Sequence, residues 1–349
     1  MSKVVLDAVG GDHAPDEAVA GVALAIDRGF VKPEELLLTG PEDVIRRALG
    51  DNQSLRQHGL DASAFEVHDA PDVLTCDDSP MDAMRKKPRN SIAIGIQLVK
   101  AGKAGSFISA GSTGTVVAAA TLGLRCLEGI RRPAIAAMIH GDKNPFLVLD
   151  VGANPQPKAH HLAQYALMGS AYYAGTFGST LGVETPNVGI LNIGSEEGKG
   201  NPLVREARNL IKELPVRFQG NIEGVDVFHG DCHVVVTDGF TGNVLLKSSE
   251  GIAEYLLKIV GQAMHQVGLD RATIGRVLGE VMPRVDFSEY GGALLLGVEG
   301  IVTICHGRSR APAFANAIRF ALQALDGNVN QHIIQAARQM TLPAADTNG

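Results

Sequence analysis

The most restrictive feature of this sequence is a repeated alternation of short apolar runs with longer segments of helical period. The short runs are rich in β-branched residues and leucine, as expected for buried strands. This alternation is typical of a parallel sheet covered by helices on both faces. We therefore predict an α/β fold, layered α/β/α, with a largely parallel central sheet. The predicted strands are Val4–Asp7, Leu36–Thr39, Phe65–His68, Ser106–Ser109, Ile135–Ile139, Phe146–Asp150, Val188–Asn192 and Val234–Thr237.

Many of these runs end in a polar turn that contains glycine, a residue that is abundant here at 41 of 349. In open α/β sheets, ligands bind beyond the carboxyl ends of the strands. We therefore expect the glycine turns to converge on one cleft. The five turns are 8–13, 110–114, 151–154, 193–199 and 238–243.

The domain organisation is predicted to be simple, because the chain has no internal repeat, low-complexity tract or Pro/Ser-rich linker. We expect a single α/β domain over residues 1–341 and a frayed tail over residues 342–349. Residues 291–307 predict further strands, and Pro312–Leu325 and Val329–Met340 predict helices.

Residues 250–290 form a predicted helical portion with an amphipathic segment at Ile252–Val267. Its apolar face is expected to pack on the core or on a partner subunit. The alternative is a membrane-facing portion, which the scarcity of basic residues on the polar face disfavours. Dimerisation and membrane contact both remain open for this portion.

Composition excludes several classes of protein. The formal net charge is −7, tryptophan is absent, and aromatic residues make up 5% of the chain, so no nucleic-acid partner is expected. The four cysteines are widely spaced and form no C-x-x-C, which predicts neither a disulfide framework nor a zinc site. Cys232–His233 and Cys305–His306 invite a nucleophile interpretation, but buried, unreactive thiols are favoured.

The sequence predicts a cytoplasmic protein. Asp7 interrupts the N-terminal apolar run before it reaches signal-peptide length. Two uncharged stretches, Ala104–Leu124 and Leu162–Val183, are long enough to span a bilayer. The first is predicted to be a strand, a turn and a helix, and the second a closely packed helix within the protein.

Two glycine turns are candidate anion cradles. In the first, Leu6–Pro15, paired glycines precede a helix predicted to begin at Pro15, so backbone amides could face an anion. The second, Ser109–Gly114, has small side chains that allow close approach to the main chain. A tight turn capped by Asp12 and an ordinary helix cap are the respective alternatives.

Two other turns carry candidate catalytic side chains. Gly194–Gly200 fails as a nucleotide P-loop because its spacing is one residue short, yet it presents Lys199 between two glycines. Asp238–Asn243 offers Asn243 as an oxyanion donor. The alternatives are a solvated lysine and a helix-capping asparagine. No metal motif or dinucleotide fingerprint is present in the sequence, so no metal site is predicted.

A run of basic residues, Arg85, Lys86, Lys87 and Arg89, stands out on this acidic chain. It is either a docking patch for an acidic protein or a solvated helix end. Further arginines could join a basic surface if the fold brings them together, namely Arg125, Arg131, Arg132, Arg308 and Arg310.

Taken together, the turns resemble those of the phosphate acyltransferase family of bacterial phospholipid synthesis. The matching segments span nearly the whole chain: LDAVGGDHAP (6–15), SAGSTG (109–114), LDVGAN (149–154), GILNIGSEEGKGN (189–201), NIEGVDVFHG (221–230) and VVVTDGFTGNVLLK (234–247). The C-terminal part departs from the family pattern at Leu294, Arg308, Arg310 and Pro312, which leaves the role of the last loop open.

The resemblance implies transfer of a long-chain acyl group from acyl carrier protein to inorganic phosphate, giving an acyl phosphate. It also implies the architecture of phosphotransacetylases and isopropylmalate-type dehydrogenases, a homodimer, and no cofactor. A membrane-bound glycerol-phosphate acyltransferase that uses the acyl phosphate is a candidate partner. Peripheral association with the inner face of the membrane is therefore compatible with a cytoplasmic protein.

On this basis we expect Lys199 and Asn243 to be catalytic, with Lys199 offsetting negative charge and Asn243 donating to the thioester oxygen. Phosphate is expected on the glycine cradles, and Asp238 and His13 are expected to orient their neighbours. The predicted substrate-binding residues are Gly10, Gly11, Asp12, His13, Gly111, Ser112, Thr113, Gly114, Asn154, Asp238 and Thr241.

Three other functions remain open. The nearest is phosphotransacetylase-like transfer between acyl-CoA and phosphate. A metal-dependent dehydrogenase of the same architecture is less consistent with the sequence, because no carboxylate set has convincing Mg²⁺ spacing. A non-catalytic scaffold that binds acyl carrier protein is the alternative outside enzymes, although Lys199 and Asn243 argue against it.

Overall fold

The computed structural model describes residues 3–75, 78–285 and 290–340, so Cys76 and the predicted tail at 342–349 lie outside the described residues. The strands are β1 (Val4–Asp7), β2 (Leu36–Gly40), β3 (Glu66–Asp69), β4 (Ser106–Ser109), β5 (Ala134–Ile139), β6 (Phe146–Leu149), β7 (Asn187–Asn192), β8 (Arg217–Glu223), β9 (Val234–Val236), β10 (Ala293–Leu296) and β11 (Ile301–Ile304). The helices are α1 (Asp16–Asp27), α2 (Glu42–Asp51), α3 (Gln53–Gln57), α4 (Pro80–Lys86), α5 (Ser91–Lys100), α6 (Thr113–Gly123), α7 (Ala159–Leu181), α8 (Pro202–Lys212), α9 (Gly239–Gln266), α10 (Arg271–Val285), α11 (Ala311–Asp326) and α12 (Val329–Arg338).

The described strands form one sheet in the order β3-β2-β1-β4-β11-β10-β5-β6-β9-β7-β8. β1, β2, β3, β4 and β11 run parallel to one another, and so do β6, β7, β8 and β9. β10 pairs antiparallel with β11 and β5, and β5 pairs antiparallel with β6. The sheet is therefore largely parallel within two halves that point in opposite directions.

This reversal changes the expected arrangement of the glycine turns. The turns after β1 and β4 lie at one edge of the sheet, whereas those after β6, β7 and β9 lie at the opposite edge. The five turns therefore do not all lie at the same ends of the strands, because the β5–β6 antiparallel pair inverts the chain direction between the halves.

The predicted strands agree with the structure to within one residue at each end. Sequence analysis did not predict β8. This strand, Arg217–Glu223, is largely polar and is an outermost strand of the sheet. An edge strand needs no continuous apolar run, so its pattern is weak. Helix α1 begins at Asp16, so Pro15 precedes the helix rather than opening it.

Two apolar layers enclose the sheet. Along β1, Val4 and Leu6 face one layer and Val5 faces the other, because successive strand side chains alternate between faces. The first layer is supplied mainly by α1, α7, α8, α11 and α12, and the second by α5, α6 and the start of α9. Ala104–Leu124 and Leu162–Val183 thus belong to the packed fold. Among the helices of the described residues, none has the length and apolar character needed to cross a bilayer.

Helix α9 begins against the sheet and then leaves it. Its buried residues are Gly239 and Gly242, and α10 packs back along it. Farther along α9, Ile252, Leu256 and Ile259 are 58%, 53% and 40% exposed. The apolar face of this segment therefore does not cover the protein's own core, so the partner-subunit and membrane interpretations of its amphipathic pattern remain.

Gly242 fixes how closely α9 approaches the sheet, because a Cβ at this position would overlap the carbonyl oxygen of Asp150. We expect Gly242→Ala to lower the free energy of unfolding by about 1–3 kcal/mol through overpacking. The matched control is Gly251→Ala in the same helix, where a Cβ meets open space. That variant should gain about 0.5–1 kcal/mol from helix propensity. Urea unfolding measures the free energy of unfolding of both variants. Equal changes in the two variants would contradict the close approach of α9 to the sheet at Gly242.

Candidate active site

The turns after β1, β4 and β11 meet at one edge of the sheet. A Cβ at Gly10 would stand 2.8 Å from the amide nitrogen of Gly111. Gly11 has a φ of +103° and a Cβ there would stand 3.1 Å from the carbonyl oxygen of Gly307, so the turn requires glycine. The amide of Asp12 donates to that same oxygen at 2.8 Å. We call this group of turns the glycine cradle.

A buried carboxyl group lies beneath the glycine cradle. Asp7 is 1% exposed and accepts a hydrogen bond of 2.7 Å from the hydroxyl of Ser109. The Ser109 oxygen in turn accepts from the amide of Gly111 at 3.0 Å, while Ser91 also donates to Asp7. Burial raises the pKa of Asp7 above its ordinary value of 3.8, although these hydrogen bonds act in the opposite direction. Asp7 therefore ties the turn after β1 to the turn after β4.

The N-terminus of α6 opens beside the glycine cradle. Ser112, Thr113 and Gly114 are exposed there. Within the described residues, the Ser112 side chain makes no capping hydrogen bond to α6. The first amides of a helix are unsatisfied inside the helix and carry partial positive charge, which makes them an anion-binding group. Asp12 is exposed and His13 half-buried on the neighbouring turn.

At the opposite edge, the turn after β6 is built around Asp150. This buried carboxylate accepts from the amides of Ile135, Gly152, Ala153 and Asn154, at 2.7–3.0 Å. Asn154 is also buried, and its side-chain amide donates to Pro133 and to Asp150. The hydrogen bonds of the Asn154 side chain therefore stabilise the turn after β6.

The start of α9 packs on this turn. Asp238 caps α9 by accepting from the amides of Phe240 and Thr241, and it also accepts from the Thr241 hydroxyl at 2.7 Å. Asn243 lies inside the first turns of the helix and is exposed, so it is not the capping residue. Its Oδ1 stands 4.0 Å from the Cβ position of Gly152.

A surface cavity of about 540 Å³ lies at this edge, between the segments that follow β6, β7 and β9. Its lining residues are Pro155, Gln156, Pro157, Asn201, Leu203, Asp238, Phe240 and Thr241. Lys199 lies two residues before Asn201, with its ammonium 3.9 Å from Glu196 and its side chain half-exposed. Lys199 thus belongs to the Asn243 side of the sheet rather than to the glycine cradle.

Helix α9 connects the two edges. One helical turn beyond Asn243, Lys247 lies close enough to His306 that burial and the Lys247 charge together lower the pKa of this histidine. Glu254, farther along α9, pairs with Arg308 at 3.9 Å. Helix α9 thus carries Asn243 at its start, on the turn after β6, and Lys247 and Glu254 farther along, beside the loop after β11.

The C-terminal departures from the family pattern have structural roles. Arg310 pairs with Glu17 at 3.0 Å, and the amide of Ala311 donates to the same carboxylate. Leu294 lies in β10, and Pro312 lies in the first turn of α11, where proline is well tolerated. Arg310 thus connects the last loop to α1, and Arg308 connects it to α9 through Glu254.

The basic run is locally neutralised. Arg85 and Lys86 both pair with Asp82, Lys87 pairs with Asp78 at 2.6 Å, and Arg89 pairs with Asp69 at 3.1 Å. The ion pairs therefore favour the interpretation of this run as a solvated helix end.

The two thiols that were predicted to be unreactive are buried, and burial raises the pKa of Cys232 and of Cys305 to about 12. Sequence reasoning missed Asp7 and Asp150, although each stands directly at the end of a predicted strand.

Comparison with known proteins gives a consistent result. A family model described as fatty acid synthesis protein matches residues 2–332. A phosphate acyltransferase of Heliobacterium modesticaldum is 42% identical over 341 residues, covering 95% of this chain and 97% of its own length. A phosphate acyltransferase of a Cyanothece species is 41% identical over 355 residues, covering 99% of this chain and 98% of its own length.

Solved structures with the same fold have low sequence identity. A phosphotransacetylase from Streptococcus pyogenes has a TM-score of 0.59 and 17% identity, covering 93% of this chain and 94% of its own. A branched-chain phosphotransacylase from Enterococcus faecalis has a TM-score of 0.53 and 14% identity, covering 93% of this chain and 98% of its own. These likenesses confirm the predicted architecture.

The raised pKa of Asp7 makes a prediction about pH and stability. Because the folded state favours the protonated carboxyl, the contribution of Asp7 is complete below its unfolded pKa, near 3.8, and declines as pH rises through the folded value. Asp7→Asn removes this titration. The unfolding free energy of the variant, relative to the natural protein, should therefore rise as pH increases above about 4. If the difference in unfolding free energy stays constant from pH 4 to 8, the pKa of Asp7 is not raised in the folded protein.

Proposed function

Because the chain belongs to the phosphate acyltransferase family, we propose that it transfers a long-chain acyl group from acyl carrier protein to inorganic phosphate. The products are an acyl phosphate and the free carrier thiol. The observation that carries the proposal is the exposed N-terminus of α6 beside the glycine cradle, since it offers backbone amides to a small anion.

Phosphate binds, in this proposal, to the glycine cradle and the first turn of α6. The residues that would surround it are Gly10, Gly11, Asp12, His13, Gly111, Ser112, Thr113 and Gly114. Backbone amides suit phosphate because they are fixed before the anion arrives.

The reaction needs no covalent enzyme intermediate. A phosphate oxygen attacks the thioester carbonyl carbon, the new C–O bond forms, and the carbonyl oxygen gains negative charge. Collapse of this tetrahedral intermediate breaks the C–S bond, and the carrier leaves as a thiolate that takes a proton from water. The protein's task is to position the reactants and stabilise the oxyanion.

Asn243 donates to that oxyanion, and Lys199 offsets negative charge, in our proposal. The thioester then lies along the first turns of α9, between Asn243 and the part of the helix that approaches the glycine cradle. The half-exposed Lys199 side chain has the freedom to turn towards an anion. Asp238, Thr241 and Asn154 support this arrangement through the hydrogen bonds that fix the start of α9 and the neighbouring turn.

The direct test of the function is an assay with long-chain acyl carrier protein, with and without phosphate. The proposal predicts acyl phosphate and free thiol in equal amounts, and only when phosphate is present. Faster transfer from acyl-CoA would favour phosphotransacetylase-like activity instead. Tight binding of the carrier without acyl phosphate would favour a scaffold.

Separate Lys199→Ala and Asn243→Ala variants test the catalytic assignments. Each should lower kcat by about 100- to 1,000-fold, the usual cost of losing an oxyanion donor. Ser248→Ala, at an exposed position of the same helix, is the matched control and should retain full activity. A folded variant at either site that turns over like the control removes that residue from the mechanism.

We also propose that residues 250–290 pair two copies of the chain. The exposed apolar face of α9 needs a partner, and its polar face carries Glu254, Lys258 and Gln262 rather than a basic stripe suited to a lipid surface. The protein would work in the cytoplasm as a homodimer and pass acyl phosphate to a membrane-bound glycerol-phosphate acyltransferase.

Charge placed on the apolar face tests the pairing. Leu256→Glu combined with Ile259→Glu should convert a dimer into monomers in sedimentation velocity, because both charges would be buried in the interface. Lys258→Glu on the polar face is the control and should stay dimeric. A natural protein that sediments as a monomer and instead floats with anionic vesicles would favour the membrane-facing alternative.

A further inference from the structure

His306 stands two residues after the end of β11, in the loop that borders the glycine cradle. Ile304, the last residue of β11, pairs with Ser109 in the parallel register of β11 and β4. The amide of Cys305 donates to the carbonyl of Ser109 at 2.9 Å, so the pairing continues to the ends of both strands. His306 and Gly111 each lie two residues beyond the same strand pair. The register therefore brings His306 level with the turn after β4.

The next residue ties this loop to the turn after β1. The carbonyl oxygen of Gly307 accepts from the amide of Asp12 at 2.8 Å. A Cβ at Gly11 would stand 3.1 Å from that oxygen, and a Cβ at Gly307 would stand 3.5 Å from Asp12 Oδ1. The backbone of His306 is therefore joined directly to a residue that contacts the glycine cradle.

A turn fixes the imidazole ring of His306. The amide of Ser309 donates to the carbonyl of His306 at 2.9 Å, and the amide of Arg308 donates to Nδ1 of the ring at 3.1 Å. A neutral imidazole that accepts at Nδ1 carries its proton on Nε2. The side chain is exposed, and no residue in the described parts of the chain accepts a hydrogen bond from Nε2. The ring thus holds an N–H donor that is free for a ligand.

The ring lies on the face of the sheet where α6 begins and α9 passes. Ile304 belongs to the apolar layer under α5, α6 and the start of α9, and strand side chains two residues apart share a face. The influence of Lys247 and Glu250, both on α9, on the ring of His306 agrees with this direction. A phosphate ion that accepts from the first amides of α6 has further oxygens available for a donor beside it.

The charged groups around the ring favour its neutral form. Desolvation and the charges of Lys247 and Arg308 lower the pKa of His306, against the opposing effects of Glu250 and Asp12. Lys247 and Glu250 are themselves paired at 2.8 Å. At neutral pH the ring can therefore donate from Nε2 while Nδ1 still accepts from the turn.

We propose that His306 is a further phosphate-binding residue, whose Nε2–H group donates a hydrogen bond to inorganic phosphate on the glycine cradle. This inference rests on the proposed function, because it adds a side-chain donor to the backbone amides of that phosphate site. His306 binds the anion in its neutral form and exchanges no proton during acyl transfer. The turn at residues 306–309 holds the ring in place before phosphate arrives.

Two substitutions separate the Nε2 donor from the turn. His306→Asn keeps an acceptor close to the position of Nδ1 for the Arg308 amide, but it has no donor at the position of Nε2. His306→Gln places a side-chain amide near Nε2. Calorimetric titration with inorganic phosphate, at constant ionic strength, should give His306→Asn a Kd about ten-fold above that of the natural protein, as expected for a lost hydrogen bond to a charged group. His306→Gln should recover about three-fold or more of this loss.

His58→Asn is the matched control. His58 pairs with Asp27 at 3.2 Å, at the end of α1 that is remote from the glycine cradle. Its phosphate affinity should equal that of the natural protein. In turnover with long-chain acyl carrier protein, His306→Asn should raise KM for phosphate by the same factor as Kd and leave KM for the acyl donor unchanged. An unchanged phosphate KM with a lowered kcat assigns His306 to the acyl-transfer step and overturns the proposal.

Phosphate affinity measured without an acyl donor separates this inference from the proposed function. If His306→Asn weakens phosphate binding but the natural protein forms no acyl phosphate, the proposed function alone is refuted. If His306→Asn binds phosphate as tightly as the natural protein, or no more weakly than His306→Gln, Nε2 is not a phosphate donor. If neither variant folds, NMR of the nitrogen-labelled natural protein replaces them. Phosphate should shift the assigned Nε2 signal of His306, and a signal that does not move overturns the proposal.

Discussion

The hydrogen bond between the buried carboxyl group of Asp7 and the hydroxyl of Ser109 holds the proposed phosphate site together. This hydrogen bond joins two turns that are about a hundred residues apart in sequence. The Ser109 oxygen also accepts a hydrogen bond from the amide of Gly111. Burying a carboxyl group is costly unless it is hydrogen-bonded, and Asp7 accepts hydrogen bonds from the hydroxyl of Ser109 and the amide of Val9. The same carboxyl group thus sets the geometry of the glycine cradle.

The reversed halves of the sheet explain the layout of the rest of the molecule. Each half ends in its own set of turns, and a buried aspartate organises each set, Asp7 in one half and Asp150 in the other. Helix α9 is the element that connects them, because it starts on the Asp150 turn and reaches the loop after β11. In the proposed mechanism, close packing at Gly242 matters for activity as well as for stability, because it sets the position of Asn243.

The sequence predicted the architecture and most strand positions, because buried strands have continuous apolar runs and the turns between elements have distinctive glycines. Sequence analysis missed the reversal at the β5–β6 pair, although the short connection at residues 140–145 favours an antiparallel pair, because a parallel crossover needs a dozen or more residues. It also pointed to Arg85–Arg89, where the cations are adjacent in the chain, although the fold neutralises them.

The central claim is that inorganic phosphate occupies the glycine cradle and the first turn of α6. The most direct measurement is a crystal structure of the protein soaked in phosphate. Our account predicts an anion within hydrogen-bonding distance of the amides of Gly11 and Thr113. Phosphate bound instead beside Asn154 and Thr241, at the other edge of the sheet, would contradict it.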